Sequence, residues 1–237
     1  MGKKREEEDM ELSNRLNKLI NLCDQCNTIA DVGTDHGYIP IHLIKRGVCN
    51  LSIASDINSH PVERAKTNVK SYGLEKKIKC KKGSGLNTIK DEEVQGVIIA
   101  GMGGNLIKEI LMENLCIVKN LQYLVLQPTQ NAEVLRKYLY NNDFEILDEE
   151  MCIDEDIYYE FFKIRYGGHG FITNEDVYYT VSPLLIYKNH PLIKEYIISK
   201  IQESEKILLN LKSNTTNAID RKIFLEDFKV KLERLLV

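Results

Sequence analysis

Apolar residues in this chain fall into short runs, and between the runs they recur every three or four positions. The runs lie at 28–33, 51–56, 78–82, 94–100 and 121–127. Helical periodicity fills 38–46, 60–72, 104–114 and 131–141. Strands alternating with helices at this spacing predict βαβ units, an α/β fold and a mostly parallel, doubly wound sheet. Ahead of the first strand, residues 10–23 put Leu12, Leu16, Leu19, Ile20 and Cys23 on one helical face. Segments 144–149 and 158–165 have no helix between them, which predicts an antiparallel pair at the sheet edge. Tyr158, Tyr159, Phe161 and Phe162 on the second of these are expected in the core.

Gly167-Gly168-His169-Gly170 interrupts the pattern. Beyond it, Ile197, Ile201, Ser204, Leu208 and Leu211 recur at alternating steps of four and three. Leu225, Phe228, Leu232 and Leu235 form a similar seam after the polar stretch 213–217. Two seams joined by a short polar turn predict a coiled-coil-like helical hairpin. We therefore expect two domains, 1–166 and 167–237.

Charge and cysteines narrow the classes. A formal charge of −3 gives no global attraction to nucleic acid, so any polyanion must meet a local basic face. No apolar run is long enough to span a bilayer, and the first residues lack a signal-peptide core. The expectation is a cytoplasmic protein with no membrane partner. Cys23 and Cys26 have ligand spacing, but no second pair or histidine cluster follows, so no metal is expected.

Parallel sheets bind ligands beyond the carboxyl ends of their strands. The first end reads Asp31-Val-Gly33-Thr-Asp35-His36-Gly37-Tyr38. Its glycines lack the dinucleotide spacing, no Walker loop occurs anywhere, and Asp35 would repel a pyrophosphate. The second end, Asp56-Ile57, offers an acid for two ribose hydroxyls; a solvated turn is the plain alternative. Gly83-Ser84-Gly85 could admit a flat base, with Ser84 on its edge, or could be a simple turn. Gly101-Met102-Gly103-Gly104 leaves room for a substrate or for close helix packing. An adenosine without phosphates but with a positive centre matches S-adenosyl-L-methionine (SAM), whose sulfonium and ammonium would suit Asp31 and Asp35.

DVGTDHGYIPIHL, ASDI, KGSGL, AGMGG and LQPTQN, in this order, resemble the bacterial tRNA (adenine-22 N1)-methyltransferases over essentially the whole chain. The resemblance implies a class I, Rossmann-like methyltransferase fold with a helical tail. It also implies methyl transfer from SAM to N1 of a tRNA adenine. On that motif Asp31, Gly33 and Gly37 fall in the donor loop and Asp56 on the ribose acid. Ser84 falls at the base edge, and Gly101, Met102, Gly103 and Gly104 at the fourth strand end. Asp35 departs from the class I pattern by replacing a glycine, Ser84 by standing where an acid is common, and no NPPY follows the fourth strand.

Asp35, His36 and Tyr38 are the candidates for alignment and charge stabilisation, and Asp35 and His36 also for donor contact. Gly103, Gly104, Gln127 and Thr129 are candidates for the substrate side, while Asn131 could cap a helix. Lys66 and Lys70 belong to a basic run with Lys76, Lys77, Lys79, Lys81 and Lys82. Together with Lys188, Lys194, Lys200, Lys206 and Lys212 of the tail they suggest a groove for RNA phosphates between the domains; solvated lysines are the bland alternative. A monomer is the working expectation. Two other functions fit the same residues: a small-molecule methyltransferase, and a non-catalytic SAM-responsive RNA-binding protein.

Overall fold

The structure, a computed structural model, describes residues 12–90, 92–168, 173, 175–211 and 215–236. Residues 10 and 11 of the predicted first helix, His169 and Gly170 of the glycine break, Lys212, and 213–214 of the polar turn lie outside the described residues. The chain runs through α1 (Asn14–Asn21), β1 (Cys26–Val32), α2 (Tyr38–Lys45), β2 (Cys49–Asp56), α3 (Ser59–Ser71), β3 (Ile78–Lys82), β4 (Gly96–Met102), α4 (Gly104–Glu113), α5 (Leu115–Val118), β5 (Tyr123–Pro128) and α6 (Ala132–Tyr140). There follow β6 (Phe144–Asp154), β7 (Ile157–Tyr166), α7 (Val177–Thr180), α8 (Pro183–Tyr187), α9 (Ile193–Asn210) and α10 (Thr216–Arg234). Among the described residues no helix is long and apolar enough to cross a membrane.

The sheet has seven strands in the order β3-β2-β1-β4-β5-β7-β6. The first five pair in parallel, and the predicted antiparallel pair is present with one refinement. β7, the later strand, inserts between β5 and β6 and runs antiparallel to both. Side chains alternate across the central strands because successive residues of a strand face opposite sides. Ala30, Val32, Val97, Ile99, Leu124 and Leu126 face α4 and α6. Ile29, Ile98, Val125 and Phe161 face α1, α2 and α3. Both faces are covered, so these strands are apolar throughout. The order reverses between β1 and β4, and the crevice beyond those two strand ends is the standard ligand position in such sheets.

The tail is not a hairpin alone. Short helices α7 and α8 precede it, and a third core joins Val177, Leu185, Tyr196, Ile197 and Leu232 to Met151 of β6. Lys229 pairs with Glu205 across the α9–α10 seam. Beneath this core lies Arg136 of α6, which is 1% exposed. Its Nε donates to Glu149 at 3.1 Å and its Nη2 to Glu160 at 2.6 Å. Its Nη1 donates to the Tyr179 carbonyl at 2.7 Å, and Tyr196 Oη donates to Glu160 at 2.8 Å. One guanidinium thus ties α6, β6, β7 and the start of the tail, with α9 joined through Tyr196.

The strand order also bears on the expected groove of lysines. α3 and β3 lie at one sheet edge and the tail packs at the other, with β2, β1, β4 and β5 between them. Lys66 and Lys70 are therefore separated from the tail lysines by the width of those four strands.

Candidate functional site

The site grows from the turn after β1. Gly33 takes φ 87° and Gly37 φ 72°, a region that costs side-chain-bearing residues strain. Space is equally restrictive. A Cβ on Gly33 would run into the methyl of Met102, and one on Gly37 would come within 3.2 Å of Ala65 Cβ on α3. The backbone N–H groups of Gly33 and Thr34 both donate to the Ser55 carbonyl at 2.8 Å. Gly83 N–H donates to the Asp56 carbonyl at 3.0 Å. These bonds join the ends of β1, β2 and β3 into one lip. Asp56 Oδ1 accepts from Asn58 N–H at 2.7 Å, and Ile57 beside it is 60% exposed. Ser84 is exposed at the end of β3, and Gly85 has φ 50°.

A cavity of about 550 Å³ opens inside this lip, a size usual for small-molecule sites. It brings together Asp31, Gly33, Asp35, His36, Gly37, Tyr38, Gly101 and Thr129 of the expected residues. Asp56, Ile57, Gly83, Ser84, Gly85 and Met102 are not in its wall. Asp56 and Gly83 connect to it through the lip, and Met102 backs Gly33.

Asp31 is the unusual charge. It is 3% exposed, and burial pushes its carboxyl up to about 7, with Thr34 opposing and the nearby Asp56 adding to the rise. Among the described residues no cation pairs with it. Asp35, expected to suit the donor's positive groups, already has partners within the protein. It forms an ion pair with Arg64 and lies 3.1 Å from His36 Nε2, and its side chain is 61% exposed. The imidazole of His36 stacks on Tyr38, with centroids 5.0 Å apart and planes 8° from parallel. Asn68 of α3 holds the loop by donating to the His36 carbonyl at 2.9 Å.

On the substrate side, Gly104 is buried, and a Cβ there would collide with the Asn131 carbonyl. Close packing of α4 accounts for that glycine. Gly103 is half-buried beside Gln130. Gln127 is fully buried, so it acts through its neighbours instead of touching a ligand. Asn131 does occupy the N-cap position of α6, in a left-handed conformation and without a side-chain cap bond. Lys66 and Lys70 are exposed on α3 outside the cavity, and Lys66 pairs with Glu63.

Arg15 and Tyr159 are among the wall residues outside the expected set. Arg15 of α1 reaches over Tyr159 of β7, its guanidinium carbon 5.3 Å from the ring centroid. Its Nη1 donates to Gln127 Oε1 at 2.9 Å. Arg15 adjoins the inward-facing Leu16 in sequence, the one local signal that could have drawn attention to it. The sequence places Tyr159 in the core because its strand is apolar. It is half-buried and faces the cavity, whereas Phe161 and Phe162 are fully buried.

The pattern of the methyltransferase-domain family matches residues 12–162. The tRNA (adenine(22)-N(1))-methyltransferase of Bacillus subtilis is 33% identical over 148 residues, and the match spans 62% of each chain. The crystal structure of the B. subtilis m1A22 tRNA methyltransferase TrmK superposes with a TM-score of 0.87 at 26% identity, covering 97% of this chain and 100% of that one. Streptococcus pneumoniae Sp1610, a proposed tRNA (m1A22) methyltransferase solved with S-adenosyl-L-methionine, gives 0.84 at 28% identity, covering 96% of this chain and 100% of that one.

Proposed function

The chain belongs to the methyltransferase-domain family, and from that premise we propose that it methylates N1 of adenine 22 in tRNA with SAM as donor. The observation that carries the reading is Asp31, a buried acid without a cation of its own, facing a cavity beyond a parallel sheet. Such a carboxylate is costly unless a positive group meets it. The donor's ammonium is that group, so the residues present fit the donor. The tRNA substrate is supported by likeness to the B. subtilis enzyme, which extends through the tail.

When bound, the donor supplies an electrophilic methyl group on a sulfonium. We assign Asp31 and the Gly33–Gly37 loop to its methionine end, Asp56 to the ribose, and Ile57 with Ser84 to the adenine. On the acceptor side, N1 already carries an in-plane lone pair. The protein must expose and align it, not deprotonate it. N1 lies on the Watson–Crick edge, so the base has to leave its stack. Tyr38, backed by His36, offers a flat wall for that base. Thr129 and Gly103 border the approach. Methylation makes the adenine cationic, and Asp31 opposes that charge as well. Asp35 contributes less, because Arg64 is already paired with it. Residues 1–166 then form the donor domain and 167–237 the tRNA-binding domain, which presents exposed Lys194 and Lys206 on α9.

The test is mass spectrometry of an unmodified tRNA transcript after incubation with protein and SAM. N1-methyladenosine is expected at position 22 and is lost when that adenine is replaced by guanine. N6-methyladenosine without the N1 isomer, or no incorporation at all, would defeat the reading.

A further inference from the structure

Three hollows run into one another on the acceptor side of the donor cavity. Thr129 belongs to the wall of the donor cavity and also to that of a second hollow, of about 400 Å³, beside the start of α6. A third, of about 620 Å³, shares Asn131, Glu133, Thr180, Lys200 and Glu203 with the second. Together they form a cleft that leads from the donor, past α6, to the side of α10 that carries Phe224 and Phe228.

Phe224 lines the far end of this cleft and is 52% exposed. Its ring lies within 13° of parallel to that of Phe228, with centroids 5.8 Å apart. Phe228 is half-buried in the core of the tail, so it supports Phe224 from below. Tyr179 lines the same hollow, with the ammonium of Lys137 5.2 Å from its ring centroid. Exposed aromatic rings are surfaces on which nucleobases stack. The charges of the cleft decide which part of a nucleic acid enters it. Glu133, Asp156 and Asp176 line it, and among the described residues no ion pair neutralises them. Such a wall repels phosphates, whereas the N–H groups on a base edge are natural donors to carboxylates. Lys137 is exposed at the rim, on the path left to the RNA backbone. Extruding adenine 22 also strips a neighbouring base of a stacking partner. An aromatic surface at the end of a cleft that begins at the donor replaces that partner.

We propose that Phe224, set by Phe228, stacks an unpaired tRNA base close to adenine 22, and that the cleft carries the strand between them. This rests on the reading that the chain methylates adenine 22 of tRNA. It makes the tail a reader of a base as well as a holder of phosphates. A second copy of the chain is the competing partner for an apolar ring on α10. Ile219, Ile223 and Val230 are also exposed on that helix, but none of them lines the cleft.

The test uses the full chain and unmodified tRNA transcripts, each lacking the base of one nucleotide that flanks adenine 22. With the wild type, one of these abasic transcripts should show a KM about 5- to 100-fold above that of intact tRNA, the range of a lost base–aromatic stack. Phe224→Leu keeps an apolar side chain against Phe228 and should raise the KM for intact tRNA by a similar factor. Its melting temperature and its calorimetric affinity for SAM should not move. On the sensitive abasic transcript the variant should add no further loss, because both changes remove the same contact. Phe224→Tyr restores a ring and should recover most of the loss. An unchanged KM for Phe224→Leu overturns the inference. So does a loss that adds to that of every abasic transcript, which would make Phe224 a support of the tail's shape. A wild type that sediments as a dimer and a Phe224→Leu protein that sediments as a monomer would assign the ring to a second copy and overturn it too. A wild type that leaves adenine 22 unmethylated sinks the functional reading itself, and with it this one.

Discussion

Asp31 and Glu149 are both buried carboxylates whose pKa is raised chiefly by desolvation, yet the chain treats them in opposite ways. Glu149 lies against the Arg136 guanidinium, which also holds Glu160 and through it Tyr196. Asp31 has no such cation, although Arg15 lines the same cavity. Burial costs both groups alike. Where the fold supplies the counter-charge, the acid helps fasten the tail to the sheet. Where the fold withholds it, the missing charge must come from a ligand. Partner inventory, more than burial or pKa, separates architecture from site in this molecule.

The largest effect should follow from breaking the matched set. Arg136→Met leaves Glu149 and Glu160 buried without their cation, at a cost of about 3–5 kcal/mol. In a thermal melt this is a fall on the order of 10 °C. An unchanged melting temperature would show that the network does not carry the tail. Ending the chain near Gly168 would remove Tyr179 and Tyr196 from the same network, so truncation is a poor probe of RNA binding. Charge removal at exposed Lys194 and Lys206 is the cleaner one.

Next in size is Asp31→Asn, which should weaken SAM binding by about 2–4 kcal/mol at pH 8. The same change should stabilise the ligand-free protein. The folded-state pKa of Asp31, about 7, lies above its unfolded value. Its favourable contribution is therefore complete only below the unfolded pKa and is lost as pH rises through 7. Asparagine avoids that loss, so its advantage in melting temperature should grow from pH 5 to pH 8. A variant less stable than wild type at pH 8 would mean that Asp31 has a structural partner after all.

Asp56→Ala should cost roughly 1.5–3 kcal/mol in SAM affinity with the fold intact. Unchanged affinity by calorimetry would remove Asp56 from the ribose position. The smallest effect is expected at Asp35, whose pairs are exposed. Asp35→Asn should change stability by less than about 1 kcal/mol. Single-turnover methyl transfer should slow by no more than about tenfold, since no general base is required. Abolished transfer with normal SAM and tRNA binding would make Asp35 a proton acceptor and refute alignment as the mechanism.

Much of this was legible in the sequence because it is local. The period of the apolar runs marks β1 to β5 and their helices, and the glycines at 33, 37 and 101 mark turns that need positive φ. What escaped depends on contacts far apart in the chain. Arg15 meets Gln127 across 112 positions, and Arg136 meets the Tyr179 carbonyl across 43. No periodicity encodes such meetings, and an arginine in an amphipathic helix looks the same whether it faces solvent or a cavity. The separation of the two sets of lysines escaped for a related reason, since the strand order that sends β3 and the tail to opposite edges is a property of the whole sheet. Asp35 looked like a donor acid because Arg64, which neutralises it, comes from the next helix.

The central claim is that Asp31 awaits a cationic ligand. It is tested most directly by the pH dependence of SAM affinity between pH 5.5 and 7, where an α-amino group, with a pKa of about 7.7–8.0, stays protonated. Asp31 is largely protonated there in the free protein and must ionise to receive the ammonium. Affinity should fall as pH is lowered below about 7, approaching tenfold per unit, with net proton release detected in buffers of differing ionisation enthalpy. Asp31→Asn should flatten the profile. A flat profile in the wild type, or the same slope in both proteins, would contradict the account.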